Sequence, residues 1–463
     1  MDFRGTALAL AFASVAAAVC CGCRSTKAIL TDYEANVSYG KYAEAAVEPT
    51  AKADEGGKDA LCWQLHAAGA ERLAGNGDEA IRRFDLAEDL FIDYDSRGGV
   101  RQAADTTWSM MTGDYAMPYA GSGQDRVFTC LYKAIDFGVK GNAAAIRTEL
   151  NRACQHQSNW LAERGAEIAD ADAHMRNDAQ AYAKQQGVSA TNATGVADRA
   201  FADPSFSAAV QQHAGFDTAN GGRLETLVTD DYTNRYLDRV NATFRRLVGD
   251  SGAKPSNTVT VFVEDGLCPK REEWRVDLPL VLIPGLGRYV QYAGMALPVL
   301  RYRNEAVTAY SLAAGGTTYA MPLIQDVDRL VKTEYDVYFR GALAREITRA
   351  VIRVSAQAAL GAVAESYNGH YNNDSGVYLA FKLLQFGVSA WSYSTTDADL
   401  RSWTALPKKV YAVDVPRPAD GVVTVQCGVE SVKVNVPVGN TMVFVRKPSS
   451  AAPAVVKSFT FPN

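Results

Sequence analysis

Apolar residues in the first half of the chain recur at helical spacing. From residue 27 to about residue 185 they return every three or four positions, which is typical of amphipathic helices. Gly40–Ala45 (GKYAEA) has a partner in Gly75–Ala80 (GNGDEA) at an offset of 35 residues. That offset is close to the period of about 34 residues in tetratricopeptide (TPR) repeats. The pattern therefore predicts paired helices that repeat along the chain.

The second copy carries the clearer repeat pattern. Ala80, Phe84 and Ala87 have the A-x3-F-x2-A spacing of a TPR second helix, in which alanines let two helices approach and Phe84 fills the gap between repeats. A first helix presents Trp63, Leu65, Ala68 and Leu73. A poorer third copy covers 127–153, and a long amphipathic helix runs from residue 144 to about 186. We predict a TPR-like domain over 23–186; a plain helical bundle with chance alanine spacing is the alternative.

The pattern changes in the second half. Residues 187–253 predict a linker with one short helix inside it and a helix at about 223–248. In Asn257–Gly266 apolar and polar residues alternate, which indicates a half-buried strand. Residues 275–300 contain three prolines, which predict short strands broken by loops.

Helices and further strands complete the second half. Apolar spacing predicts a long helix at about 324–366 and another at about 377–391. Four β-hairpin patterns separated by proline and glycine close the chain: 408–415, 421–427, 430–438 and 440–447. The predicted fold class is α+β, with helical repeats first and an α+β domain over 254–463 that ends in antiparallel strands.

The first 22 residues have the composition of a signal peptide. Arg4 precedes Ala7–Val19, an apolar run of the length of a signal-peptide core and too short to span a bilayer. No later segment has about 18 apolar residues without a charge, so we predict no transmembrane span in the mature protein.

Three cysteines directly follow this run. Cys20, Cys21 and Cys23 lack a fourth metal ligand, and a disulfide between near neighbours is strained. Gly22-Cys23 instead matches the end of a bacterial lipobox, in which the cysteine receives lipid. We predict lipidation at Cys23, with Cys20 and Cys21 open as alternatives. Arg24, where inner-membrane retention requires aspartate, favours the periplasmic face of the outer membrane.

The net charge and the spacing of the cysteines limit the classes of partner and of site that we expect. The formal net charge of −5 argues against a nucleic-acid partner, which usually requires a basic face. The five cysteines after the leader are widely scattered, and we expect them to be small buried residues. They are Cys62, Cys130, Cys154, Cys268 and Cys427.

Familiar catalytic signatures are missing from the sequence. The five histidines show no HExxH spacing, and the chain has no GxSxG, Walker or dinucleotide-binding motif. No spacing singles out a pair of carboxylates. We therefore predict a protein that is not an enzyme and has neither a metal nor another cofactor.

Two stretches are candidates for binding. Val263–Pro279 concentrates charges around Trp274, which could anchor a partner with Lys270 or Arg271 as charge partners; a charged hairpin loop is the alternative.

The second stretch is Asp397–Pro407. Here Arg401 could pair with Asp399 and Trp403 could pack at a joint between domains, which we favour over a binding role.

These stretches together carry a resemblance. The chain resembles a family of uncharacterised bacterial lipoproteins with TPR-like N-terminal helices and a β-rich C-terminal part, over about residues 55–160 and 258–447. The matching stretches, after the lipobox, are Ala70–Glu88, Asp125–Gly138, Val263–Glu273, Ala344–Ala350 and Leu400–Pro407. The family has no established activity. Its genes often lie beside those of lipoproteins that activate penicillin-binding proteins, which implies a role in the cell envelope.

The sequence thus predicts an outer-membrane lipoprotein without catalysis, an adaptor in cell-envelope or peptidoglycan assembly. Its helical repeats would form a concave groove for an envelope protein partner. One alternative is a glycan- or peptidoglycan-binding protein, in which Trp274, Trp391 or Trp403 stacks on sugar. A weaker alternative is an enzyme with an unrecognised site.

Overall fold

The structure is a computed structural model, and it confirms the α+β class: helices dominate the N-terminal part and strands the C-terminal part. It describes residues 25–96, 114–162, 202–215, 233–250, 257–277, 294–339, 341–343, 345–347, 349–350 and 397–461. The predicted signal peptide and Cys23 lie outside these residues.

Helical hairpins form the N-terminal part. The helices are α1 Thr26–Ser38, α2 Tyr42–Glu55, α3 Ala60–Ala74, α4 Gly77–Ser96, α5 Gly123–Val139 and α6 at 143–162. Helix α3 ends at Gly75, whose φ of 90° is left-handed and lets the chain reverse into α4. The predicted repeat residues Ala80, Phe84 and Ala87 are all fully buried in α4. The part of the predicted helix 144–186 beyond residue 162 lies outside the described residues.

Three more helices lie between or beside the strands. The short helix expected within the linker is α7, Pro204–Ala214, and it begins where the Asp203 carboxylate accepts a bond from Phe206 N. Helix α8 covers Arg235–Leu247, within the predicted 223–248. Helix α9 occupies 327–339 and continues in the described residues to 350, starting three residues later than predicted. The predicted helix at 377–391 lies outside the described residues.

The strands of the described residues form three sheets. Their bounds are β1 Thr258–Asp265, β2 Lys270–Asp277, β3 Gly294–Arg301, β4 Tyr310–Ala314, β5 Thr317–Ala320, β6 Leu323–Asp326, β7 Lys409–Pro416, β8 Val422–Cys427, β9 Glu430–Asn435, β10 Asn440–Lys447 and β11 Val455–Phe461. A five-stranded sheet has the order β11-β10-β1-β7-β6, a four-stranded sheet has the order β5-β4-β8-β9, and β2 pairs with β3.

The four C-terminal strands lie where we predicted them, but most of them do not pair as successive hairpins. Strands β8 and β9 do form an antiparallel hairpin. Strands β7 and β8 lie in different sheets, as do β9 and β10, and β10 pairs in parallel with β1. The physical reason is burial: β10 is buried along its whole length. A strand that is buried on both faces requires a central position in the sheet, which a terminal hairpin does not provide.

Alternation along β1 sorts its side chains between two layers. Val259, Val261 and Val263 belong to the core between the five-stranded and four-stranded sheets. Phe262 belongs to the core shared with the helices, where its ring lies 5.8 Å from that of Tyr236. Because side chains alternate with a period of two, Glu264 lies under the helices as well.

The helices and the five-stranded sheet share one hydrophobic core. Trp403 from the C-terminal half belongs to it, with its ring centroid 5.7 Å from that of Phe84 in α4 and 5.8 Å from that of Tyr132 in α5. Trp403 thus covers part of the face of α4 and α5, and a partner groove elsewhere on the helices stays a prediction.

Buried charges cross the same boundary. Glu264 lies under Arg72 of α3 and beside Arg446 of β10, at 4.0 and 3.6 Å. Asp136 of α5 lies 3.7 Å from Arg72 and also pairs with Lys457 of β11. Each cation is matched by a carboxylate from another element, so these ion pairs fix the orientation of the helices on the sheet.

Candidate functional site

Arg401 lies at the joint between the helices and the C-terminal half. Its Nε and Nη2 each donate to one oxygen of Asp399 at 2.8 Å, which confirms the predicted pair. Its Nη1 donates to Asp59 Oδ1 at 2.8 Å and to the carbonyl oxygen of Met117 at 2.6 Å. The side chain is 2% exposed. Arg401 therefore connects three segments of the chain, and a ligand would have to displace protein groups to reach it.

The ionisation of this cluster follows from its pairing. Desolvation works against the Arg401 charge, but Asp399 and Asp59 keep the pKa of Arg401 well above its usual value. Desolvation also disfavours the Asp399 carboxylate, yet Arg401 holds the pKa of Asp399 below its usual value. Both groups are thus charged at every physiological pH.

Trp403 is a packing residue. It is 3% exposed and lies against Phe84 and Tyr132. A Cβ on Gly69 would come within 3.2 Å of its Nε1, so α3 offers a glycine where the indole approaches. Sugar stacking requires an open ring face, which Trp403 does not present. The predicted role at a joint is confirmed, and its alternative role in glycan binding is wrong for this burial.

Arg271, the other candidate arginine, has a different environment. It lies in β2 opposite Leu300 of β3, and its guanidinium carbon is 4.4 Å from the centre of the Tyr338 ring in α9. The side chain is half-buried. Within the described residues, no hydrogen bond or ion pair from another group reaches its guanidinium. The cation is covered on one face by an aromatic ring, and its N–H groups remain available.

The carboxylates near Arg271 are already engaged. Asp399 is bound by Arg401. Asp125 accepts bonds from Tyr119 Oη at 2.7 Å and from Ser122 N at 2.8 Å, the latter as part of the capping box that starts α5. Both carboxylates act on Arg271 through space, without a direct bond.

Arg271 stays protonated in the folded protein. Desolvation works against it, but the acidic groups of Tyr338 and Asp399 raise the pKa of Arg271 above its usual value. The result is a permanent cation in a half-buried setting, with N–H donors that no group of the described ranges accepts. That combination suits the binding of an anionic group.

Lys270 and Trp274, also predicted as partner residues, have contacts within the chain. Lys270 Nζ lies 3.1 Å from Glu34 of α1 and 3.6 Å from Glu272. The Trp274 ring is stacked on His213 of α7, with centroids 4.8 Å apart and an interplanar angle of 17°. Trp274 is half-buried and has one face covered by histidine.

A cysteine and a histidine lie one turn apart in α3, but they do not form a catalytic pair. Cys62 Sγ is 3.7 Å from His66 Nδ1, and that nitrogen is 2.7 Å from the Cys62 carbonyl oxygen. Burial raises the pKa of the Cys62 thiol and lowers the pKa of His66 to about 4. Both groups are neutral at pH 7, whereas cysteine nucleophiles react as thiolates.

Glu88, Cys130 and Glu149 lie close enough together to suggest a cation site. The ammonium of Lys133 occupies this position, at 2.9 Å from Glu88 and 3.2 Å from Glu149. Burial also raises the pKa of the Cys130 thiol, which disfavours the thiolate that a metal requires. The chain thus supplies its own cation here.

The five scattered cysteines are free thiols, and Cys62, Cys130, Cys268 and Cys427 are buried, as predicted. Cys154 is half-buried. The lipidation candidates Cys20, Cys21 and Cys23, together with Trp391, lie outside the described residues.

Sequence reasoning missed the partners of both arginines. Tyr338 lies 67 positions after Arg271 (338 − 271), and Asp59 lies 342 positions before Arg401. No local pattern links residues so far apart. The one local signal was the spacing of Asp399 and Arg401.

Comparison of the chain with protein-family models, curated proteins and solved structures gives no significant match. Among the described residues, no helix has both the length and the apolar character to cross a membrane.

Proposed function

We propose that this chain is a non-catalytic, lipid-anchored protein of the bacterial cell envelope that binds a partner in the periplasm. The observation that supports a binding role is that the candidate catalytic groups are buried, whereas a cationic side chain is partly exposed. The candidate nucleophile Cys62 and base His66 are buried and neutral, whereas half-buried Arg271 presents N–H donors that no other described residue accepts. Such a surface recognises a ligand without transforming it.

The leader and the family resemblance support the location. Gly22-Cys23 follows an apolar run of signal-peptide length, and Arg24 favours the outer membrane. We propose that acyl chains on Cys23 anchor the chain there, with the folded part facing the periplasm, since several acyl chains give stable anchoring. The partner would be a protein of envelope or peptidoglycan assembly.

The anchor is tested by metabolic labelling with a clickable fatty acid. We expect Cys23→Ser to abolish the label, while Cys20→Ser and Cys21→Ser, as matched controls, retain it. Undiminished label on the Cys23→Ser protein would remove the basis for anchoring at this residue.

The adaptor role is tested by crosslinking in cells. A photo-crosslinking amino acid in place of Glu273, which lies two residues from Arg271 on the same face of β2, should capture a defined envelope protein, identified by mass spectrometry. The same probe at Arg301, an exposed residue of the same β2–β3 ribbon, is the control. Identical capture at both positions, or none at position 273, would contradict a partner surface around Arg271.

A second candidate is a peptidoglycan-binding protein, which the half-buried aromatic ring of Trp274 favours. Purified peptidoglycan sacculi would retain the wild-type protein and release the Trp274→Ala variant. Equal retention of the two proteins would argue against Trp274 as a glycan contact.

A further inference from the structure

Arg271 is a cation that the fold partly encloses and that no other described residue pairs or hydrogen-bonds. Enclosing a charge is costly unless it is paired or hydrogen-bonded, and stacking on Tyr338 supplies only part of the compensation. Arg401, which lies near the same Asp399 carboxylate, donates hydrogen bonds to Asp399, Asp59 and the carbonyl oxygen of Met117. Two arginines near the same carboxylate thus differ: the guanidinium of Arg401 is hydrogen-bonded by the fold, and that of Arg271 is bonded by no other described residue.

The geometry of the guanidinium restricts what can fill the vacancy. The Tyr338 ring covers one face, which leaves the in-plane N–H donors along the edge. Two parallel N–H groups of a guanidinium match the two oxygens of a carboxylate or a phosphate. A neutral sugar hydroxyl offers no such pair of oxygens.

The surrounding charges distinguish these two anions. Asp399 and Asp125 act on Arg271 through space, and both are held as acceptors by other groups. A dianionic phosphate would face repulsion from both, and Arg271 alone could not neutralise it. A carboxylate carries a single negative charge, which balances the single positive charge of Arg271.

We infer that Arg271 is the anchor of a binding site for a carboxylate presented by a peptide, such as a chain terminus. The inference deepens the proposed binding function and rests on it, but it requires neither the lipid anchor nor a particular protein partner. Two sources share this chemistry: the C-terminus of a protein, and a stem peptide of the cell wall.

Calorimetric titration of the full-length chain in mild detergent tests the inference. The probes are N-acetyl-L-alanyl-L-alanine and N-acetyl-D-alanyl-D-alanine, the C-terminal amide of each, and inorganic phosphate. The variants are Arg271→Ala and Arg271→Lys, which keeps the charge and loses the fork, with Arg301→Ala as the exposed control on the same ribbon.

We expect at least one peptide acid to bind wild type and the Arg301→Ala protein equally. Binding should weaken about tenfold or more in Arg271→Lys, as for one lost charge-assisted hydrogen bond, and disappear in Arg271→Ala. Preference for the D-peptide would indicate a cell-wall source, and preference for the L-peptide a protein source.

Four results would overturn the inference. They are no saturable binding of either peptide acid at millimolar concentration, equal binding of the amides, binding of phosphate alone, and unchanged affinity in Arg271→Ala. Circular dichroism of each variant verifies folding, and Arg271→Lys keeps the test decisive if Arg271→Ala fails to fold. Loss of crosslinking in cells with intact peptide binding would count against the adaptor role and leave this site standing.

Discussion

Arg401 and Arg271 lie near the same carboxylate, Asp399, but they differ in exposure and in hydrogen bonding. Arg401 is 2% exposed, and its guanidinium donates to Asp399, Asp59 and the Met117 carbonyl. Arg271 is half-buried, rests on the Tyr338 ring and has no bond to another described group. The same side chain thus serves the fold in one place and is available to a ligand in the other.

The difference shows what separates a structural charge from a binding charge. Breaking a buried pair leaves its partner without compensation, so such a pair is costly to disturb. A charge without a bonded partner leaves nothing behind when it is removed. The comparison can therefore be tested by deleting each arginine and measuring stability.

The largest effect is expected for Arg401→Met. It leaves the Asp399 carboxylate buried without its counter-ion, and we expect a loss of about 3–5 kcal/mol in the free energy of unfolding, measured by urea denaturation. Arg301→Met, at an exposed site, should change it by less than about 0.5 kcal/mol. A loss for Arg401→Met as small as this control would show that the joint does not depend on the pair.

Trp403→Ala comes next. Removing an indole buried between α4 and α5 should cost roughly 3 kcal/mol or more, because a cavity replaces its contacts with Phe84 and Tyr132. Trp403→Phe should cost less, since it fills part of that space. Equal losses for both variants would show that filling this space with an aromatic ring is not what stabilises the joint.

The joint should also respond to pH through His66, which lies 3.3 Å from Thr404 Oγ1. Burial lowers the pKa of His66 to about 4, so between pH 4 and about 6.5 the unfolded chain binds the extra proton. Its contribution to stability therefore rises with pH in this window, by at most about 1.4 kcal/mol per pH unit. His66→Gln should remove this rise in urea denaturation series; an unchanged profile would mean that His66 is not the titrating group.

Asp328 of α9 should make stability fall as pH rises, which is opposite to the effect of His66. Burial raises its pKa to about 6 although Lys408 works against this, and its Oδ1 has no hydrogen-bond partner. Between pH 4 and 6 the folded chain holds a proton that the unfolded chain has lost, so this contribution falls as pH rises. Asp328→Asn should therefore make the net rise of stability with pH steeper, and His66→Gln should make it shallower. A shift of the same sign in both variants would contradict these assignments.

The smallest effect is expected for Arg271→Ala. Only the stacking on Tyr338 is lost, so the free energy of unfolding should change by less than about 1 kcal/mol. A loss comparable with that of Arg401→Met would show that Arg271 is a second structural charge.

Local patterns predicted much of the fold and little of the site. Ala80, Phe84 and Ala87 are on the buried face of α4 because helical periodicity is visible in any short window. The four C-terminal strands were found at the right places for the same reason. The parallel pairing of β1 with β10 was missed, because Val261 and Val443 are 182 positions apart (443 − 261) and no local rule relates them.

The sequence by itself determined the N-terminal helices, the alternating strands and the Asp399–Arg401 pair, because each depends on neighbours within a few positions. Only the tertiary structure decided which arginine is satisfied. Asp59 and Met117, from the N-terminal part of the chain, complete Arg401, while β2 and α9 bring Arg271 to an aromatic ring and, among the described residues, to no acceptor. The physical reason is that the burial and bonding of a charge depend on every element that packs around it, however distant in the chain.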